Sequence, residues 1–165
     1  MRGLQVTPQR LARLDLLLRL VLGGIMLYAS WDKLLHPKDF AALVKGYHLL
    51  PDLLVNPAAV WLPWLELTLG VCLWTGYFCE GALGLSAGLL TVFWLALGVD
   101  FLRGIDVNCG CFSSAPDEPA APMLYYLGRD ALLLALALAA CEARRRLLRG
   151  ERQAASGLGK SQLPA

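Results

Sequence analysis

The chain has 165 residues, 57% of them hydrophobic and 17% charged, with a mean hydropathy of +0.53 and a formal charge of +2. Soluble domains are about 45–50% apolar, so this composition excludes an ordinary soluble globule and points to an integral membrane protein. The small net charge supplies no electrostatic footprint for nucleic acid.

The apolar residues fall into four blocks, at residues 16–35, about 58–78, 81–102 and 123–141. Each is close to the ~20 residues that cross ~30 Å of hydrocarbon. The expected fold is all-α, a four-helix transmembrane bundle occupying residues 1–149. In the first block Arg19 interrupts the apolar run, and "YAS" puts Tyr28 where a signal-peptide cleavage site wants a small residue. It therefore reads as a permanent helix and not as a cleaved leader.

After it comes "HPKDFAALVKGYHLLP", residues 36–51, with Phe40, Leu43, Val44, Tyr47 and Leu50 at helical spacing behind a favourable Pro37 start. This predicts a short interfacial helix between spans 1 and 2. His36 and His48 lie twelve residues apart with no thiol spacing beside them, so they read as interfacial residues before metal ligands. Between the second and third blocks "CEG" leaves room only for a tight turn. The third block opens "GALGLSAG", whose Gly84 and Gly88 form a small-xxx-small surface suited to close helix packing. From Gly150 onward apolar periodicity is lost, which predicts a disordered tail over residues 150–165.

Lys and Arg in short flanks favour the cytoplasmic side. Arg2, Arg10 and Arg13 precede the first block, and Arg144, Arg145, Arg146, Arg149 and Arg152 follow the fourth. Both termini are thus expected in the cytoplasm and the protein in the inner membrane. Trp31, Trp61, Trp64 and Tyr47 then fall near the outer boundary, with Trp74 and Tyr77 near the inner one, as an aromatic belt requires. Residues 103–122 face outward and carry Cys109-Gly110-Cys111.

In an oxidising compartment such a pair is more readily a disulfide or a redox dithiol than a metal site. Cysteines at i and i+2 approach bonding distance only where the chain bends, which Gly110 permits, and a ring so small should be easily reduced. Cys72 is mid-span, while Cys79 and Cys141 sit near the inner face and read as small hydrophobes.

Ionisable groups within spans cost roughly 2.5–3.5 kcal/mol at the helix centre on insertion scales. Asp32, Lys33, Glu66, Asp100, Arg103, Arg129 and Asp130 all fall in the outer half, with Glu66 about eight residues into the second block. Nothing comparable is expected on the inner side, where Arg19 is placed to snorkel. The bland account is salt bridges that fasten the bundle. The functional one gives Arg103 or Arg129 the task of favouring a thiolate, against Asp106, and Glu66 that of passing a proton. Girdle residues near Glu66 would also suit a flat ring such as a quinone, the one cofactor candidate here.

The stretches "YASWDKLLHPKDFAALVKGYHLLP", "LPWLELTLGVCLWTG" and "VNCGCF", with "GRDALLL" from Gly128 to Leu134, resemble the MauE branch of the DoxX-like integral membrane proteins. That resemblance implies a four-helix membrane bundle tied to redox processes. It also implies work beside a periplasmic thioredoxin-fold protein or thiol substrate, with Cys109 and Cys111 as the family's paired cysteines and Asp32, Glu66 and Arg129 in its polar positions. The leading expectation is a thiol-disulfide redox protein acting outside the membrane. Two further readings are a membrane protein that binds or passes a soft ion such as Cu(I), and a non-catalytic assembly subunit.

Overall fold

A computed structural model describes residues 8–104 and 122–160. Five helices account for nearly all of them: α1 (Pro8–Leu35), α2 (Pro37–Gly46), α3 (Asp52–Thr75), α4 (Cys79–Arg103) and α5 (Met123–Lys160). No strand occurs among the described residues. Three helices, α3, α4 and the Met123–Gln153 part of α5, are long and apolar enough to cross a bilayer, as a multi-pass membrane protein requires. Their outward faces suit lipid: Val92, Leu95, Leu132 and Leu138 are exposed.

Local chemistry sets the helix ends. His36 precedes Pro37, a position that disfavours helical backbone, and sits at φ −123°, ψ 60°. Pro37 then starts α2, where a missing N–H costs nothing. Gly76, at φ 76°, ends α3 in the left-handed conformation, its N–H donating to the Cys72 carbonyl. The turn between α3 and α4 is accordingly residues 76–78. The expected "CEG" turn is instead the first turn of α4, because Gly76 stops α3 three residues earlier than hydropathy alone suggests. α3 also begins earlier, at Asp52, so Glu66 lies fourteen residues into its helix and not eight. α5 stays helical to Lys160, past the Gly150 at which a disordered tail is expected; Glu151, Arg152, Gln153, Ala154 and Ala155 are all good helix formers.

α1 packs against α3 and α5, and α4 against α5 and α3, around a shared core that includes Leu22, Met26, Leu69, Leu73, Leu83 and Ala137. α2 folds back along the first half of α3, with Phe40 and Val44 buried on Val55 and Ala59. Of the apolar α2 face expected from sequence, Leu43 and Tyr47 are half-buried and Leu50 is exposed.

The close helix approach lies elsewhere than predicted. A Cβ at Gly84 or Gly88 would meet nothing within 4 Å, whereas one at Gly70 would lie 2.8 Å from Leu27 Cγ and 3.1 Å from the Gly23 carbonyl oxygen. A Cβ at Gly23 would likewise sit 3.1 Å from the Gly70 oxygen. The backbones of α1 and α3 therefore cross at Gly23 and Gly70, and Trp74 Nε1 strengthens the contact by donating to the Leu20 carbonyl at 3.0 Å. Gly70→Leu should lower stability by about 1–3 kcal/mol, the usual cost of overpacking, while Gly88→Leu should not. Thermal unfolding of the two variants in detergent checks this, and equal losses would refute it.

Candidate functional site: a buried charge cluster across α1, α3 and α5

Leu22, Met26, Ala29 and Lys33 recur on α1 at intervals of four, three and four, and all four are buried. That spacing is one helix face, so Lys33 continues the core stripe into which the apolar residues are drawn. On α3 the buried face contains Pro63, Glu66, Leu69, Gly70 and Leu73.

The two helices run antiparallel, and helix side chains lean toward their own N-terminus. Lys33 and Glu66 consequently lean toward one another. From the Gly23–Gly70 crossing, ten residues of α1 lead to Lys33 but four of α3 lead to Glu66. At ~1.5 Å per residue, the side chains close roughly 9 Å of axial offset.

Lys33 Nζ donates to both carboxylate oxygens of Glu66 at 2.7 Å. Lys33 is 2% and Glu66 4% exposed. The ammonium also lies 5.1 Å from the centre of the Phe40 ring on α2 and 5.3 Å from that of Phe93 on α4, both within cation–π range. From α5, Asp130 joins Lys33 and Glu66 in lining a cavity of about 30 Å³, the volume of about one water molecule. Arg129 Nε and Nη2 donate to Asp130 Oδ1 at 3.0 and 2.8 Å, and its guanidinium lies 5.4 Å from the Tyr126 ring centre. Two cations and two carboxylates therefore converge from three helices with no net charge, which limits the desolvation cost of burying them.

Asp100 on α4 is fully buried, and neither of its carboxylate oxygens has a hydrogen-bond partner among the described residues. Arg103, exposed at the end of α4, and His48 are the neighbours whose charge it feels. One turn before it, Leu97 and Met123 form a small buried cluster against which Tyr47, Tyr126 and Leu127 pack.

Of the residues singled out from sequence, Glu66 and Arg129 enter the buried cluster and Arg103 stands near Asp100. Asp32 turns the other way, 3.6 Å from His36 Nδ1 at the surface. Cys109, Cys111 and Asp106 lie outside the described residues. Among those described there is no group of three or more metal-ligating side chains, and Cys72, Cys79 and Cys141 are free. The sequence groups Lys33 with Glu66 without making it the partner of Glu66; the 22–26–29–33 stripe is the signal that identifies it.

The opposite end of the molecule is also charged, contrary to expectation. Asp15 is 5% exposed and lies 3.8 Å from Arg144 Nη1. Arg19 does not simply reach for the interface, since its Nη1 is 3.7 Å from Cys79 Sγ and its guanidinium covers Gly76. The reason is helical register: Asp15 and Arg19 stand one turn apart, and α5 continues beyond Cys141 far enough to bring Arg144 to α1.

The family described as Methylamine utilisation protein MauE matches residues 11–142. The chain is 35% identical over 123 residues to the methylamine utilization protein MauE of Paracoccus denitrificans, covering 74% of this chain and 65% of that one. It is 35% identical over 113 residues to the protein of the same name in Methylorubrum extorquens, covering 68% and 58% respectively. The Paracoccus versutus protein of that name is 33% identical over 124 residues, covering 74% and 66%. The matched part of this chain thus spans less than two thirds of the length of each of these relatives. No solved structure matches it.

Removing one member of a buried pair strands the other, at about 3–5 kcal/mol. Lys33→Met should therefore destabilise strongly, and the double variant Lys33→Met/Glu66→Leu should recover most of the loss. A denaturation cycle over the two single variants and the double one measures the coupling; additive losses would refute a direct partnership.

Proposed function

The chain belongs to the MauE family, and from that premise we propose that it is a thiol-disulfide redox protein of the inner membrane, serving a methylamine-utilisation type of system. In this reading α1, α3, α4 and α5 all cross the bilayer as a four-helix bundle, α2 lies at the outer boundary, and both arginine-rich ends are cytoplasmic. Cys109 and Cys111 then face outward and exchange with a thioredoxin-fold partner or a thiol substrate. A partner thiolate attacks one sulfur of the Cys109–Cys111 disulfide, and the other sulfur leaves as a thiolate. A second partner thiol resolves the mixed bond. One disulfide is thereby reduced to two thiols, and two partner thiols are oxidised to a disulfide.

The observation that carries this reading is the contact between Leu97 and Met123. It holds together the ends of α4 and α5 that bracket residues 105–121, at the end of α5 that bears Arg129 and Asp130. A cysteine pair tethered there has Arg103 and Arg129 at hand to favour a thiolate, and Glu66 and Asp130 below to exchange protons. Asp32, turned to His36, belongs in this scheme to the partner-facing surface.

A non-catalytic accessory role is the second reading, favoured by the name of the relatives, which ties them to methylamine utilisation and specifies no reaction. One experiment separates the two. A membrane-impermeant maleimide should label Cys109 and Cys111 from the outer face only after reduction, and Cys111→Ser should trap a mixed disulfide with a thioredoxin-fold protein. Labelling from the cytoplasmic face overturns the topology. Outward labelling with no trapped adduct leaves the accessory role.

A further inference from the structure

Beside the charge cluster, and sharing Lys33 with it, residues of α2, α3, α4 and the 47–51 connection line a partly open apolar cavity of about 190 Å³. We propose that this chamber binds the ring of a membrane-soluble, quinone-class molecule, with Lys33 donating a hydrogen bond to a ring carbonyl. The proposal goes beyond the thiol chemistry, because binding is read without any thiol step.

The lining is apolar apart from Lys33 and Tyr47, among the described residues. An ammonium has three N–H donors, and Glu66 takes two of those of Lys33. The third is left for an acceptor. Glu66 also cancels the charge, so an anionic headgroup would enter as an uncompensated buried ion, whereas a neutral carbonyl would not. A saturated acyl chain has nothing to accept the bond.

Shape leads to the same class. Nζ lies over the faces of both the Phe40 and Phe93 rings, and Tyr47 adds a third aromatic ring to the lining, a setting for a flat ring. The chamber is smaller than the ~300–1,000 Å³ of sites that enclose a whole drug-sized ligand, so it fits one substituted ring whose tail stays in lipid. Exit for such a tail lies past Val92 and Leu50, which line the chamber and are 63% and 40% exposed.

The test uses the full chain in lipid nanodiscs titrated with decylubiquinone and, separately, with decylbenzene, which has a similar tail and ring but no carbonyl. Decylubiquinone should bind saturably by calorimetry and about tenfold more tightly than decylbenzene, the worth of one hydrogen bond to a charged donor. Ala96→Phe fills the chamber without touching Lys33 or Glu66 and should weaken binding by about tenfold or more at an unchanged melting temperature. Val92→Trp serves if that variant melts early. The Lys33→Met/Glu66→Leu protein should lose the preference for the carbonyl compound. Cys109→Ser/Cys111→Ser should bind normally, which keeps this result separate from the thiol reading. Equal affinity for decylbenzene would mean that a lipid chain occupies the chamber, and full affinity in a folded chamber-filled variant would mean that the ligand sits elsewhere; either overturns the proposal.

Discussion

The Lys33–Glu66 bond is the constraint on which the charged half of the molecule depends. A lone buried ammonium or carboxylate is expensive, and both residues are almost wholly buried. Each therefore requires the other, and the requirement fixes the axial register of α1 against α3. Because Lys33 stands two residues before the end of α1, the bond also fixes where the chain turns into α2. Phe40 can then cover the ammonium from above while Val44 continues down α3. Covering the pair with aromatic faces excludes water and adds quadrupole attraction to the cation.

Register set at one end is held at the other by contact of a different kind. Around Gly23 and Gly70 the backbones of α1 and α3 come close because neither residue has a side chain, so van der Waals packing supplies the attraction there. A sliding motion of one helix along the other would break the ion pair and drive Leu27 or Leu73 into backbone. Small residues serve α5 in the same way, since Ala137 and Ala140 are fully buried against the shared core. Trp94 Nε1, donating to the Leu127 carbonyl at 3.2 Å, ties α4 to α5 close to Arg129 and Asp130.

Much of this was legible in the chain. Hydropathy located every long helix, the Pro37 start located α2, and the cost of burying charge marked Glu66 and Arg129. What was not legible depends on rotation about a helix axis, which hydropathy ignores. Asp32 and Lys33 are adjacent, yet one faces His36 at the surface and the other the core; only the spacing from Leu22, Met26 and Ala29 distinguishes them. Gly84 and Gly88 have the small-residue spacing of a packing motif, but among the described residues nothing comes within 4 Å of where their Cβ atoms would stand. Gly23 and Gly70, which do pack, lie on different helices and share no local pattern. The pairing of Arg19 with Cys79 was hidden for a similar reason, because it depends on Gly76 ending α3 and bringing the start of α4 under α1.

The two charged ends differ in how far they are closed on themselves. At the Lys33 end both pairs, Lys33 with Glu66 and Arg129 with Asp130, lie within residues 11–142, the span that matches the family. At the Arg19 end Asp15 finds Arg144 beyond that span, at 3.8 Å, and among the described residues Asp15 Oδ1 and the Nε atoms of Arg19 and Arg144 have no hydrogen bond. Short, doubly donated contacts with aromatic cover make a rigid setting; a long contact with unsatisfied atoms makes a loose one. Polar groups held rigidly and out of water are those whose chemistry an environment can tune. The ring and thiol sites proposed above both draw on the Lys33 end, whose two ion pairs are short, although there too Asp100 keeps both carboxylate oxygens without hydrogen bonds among the described residues.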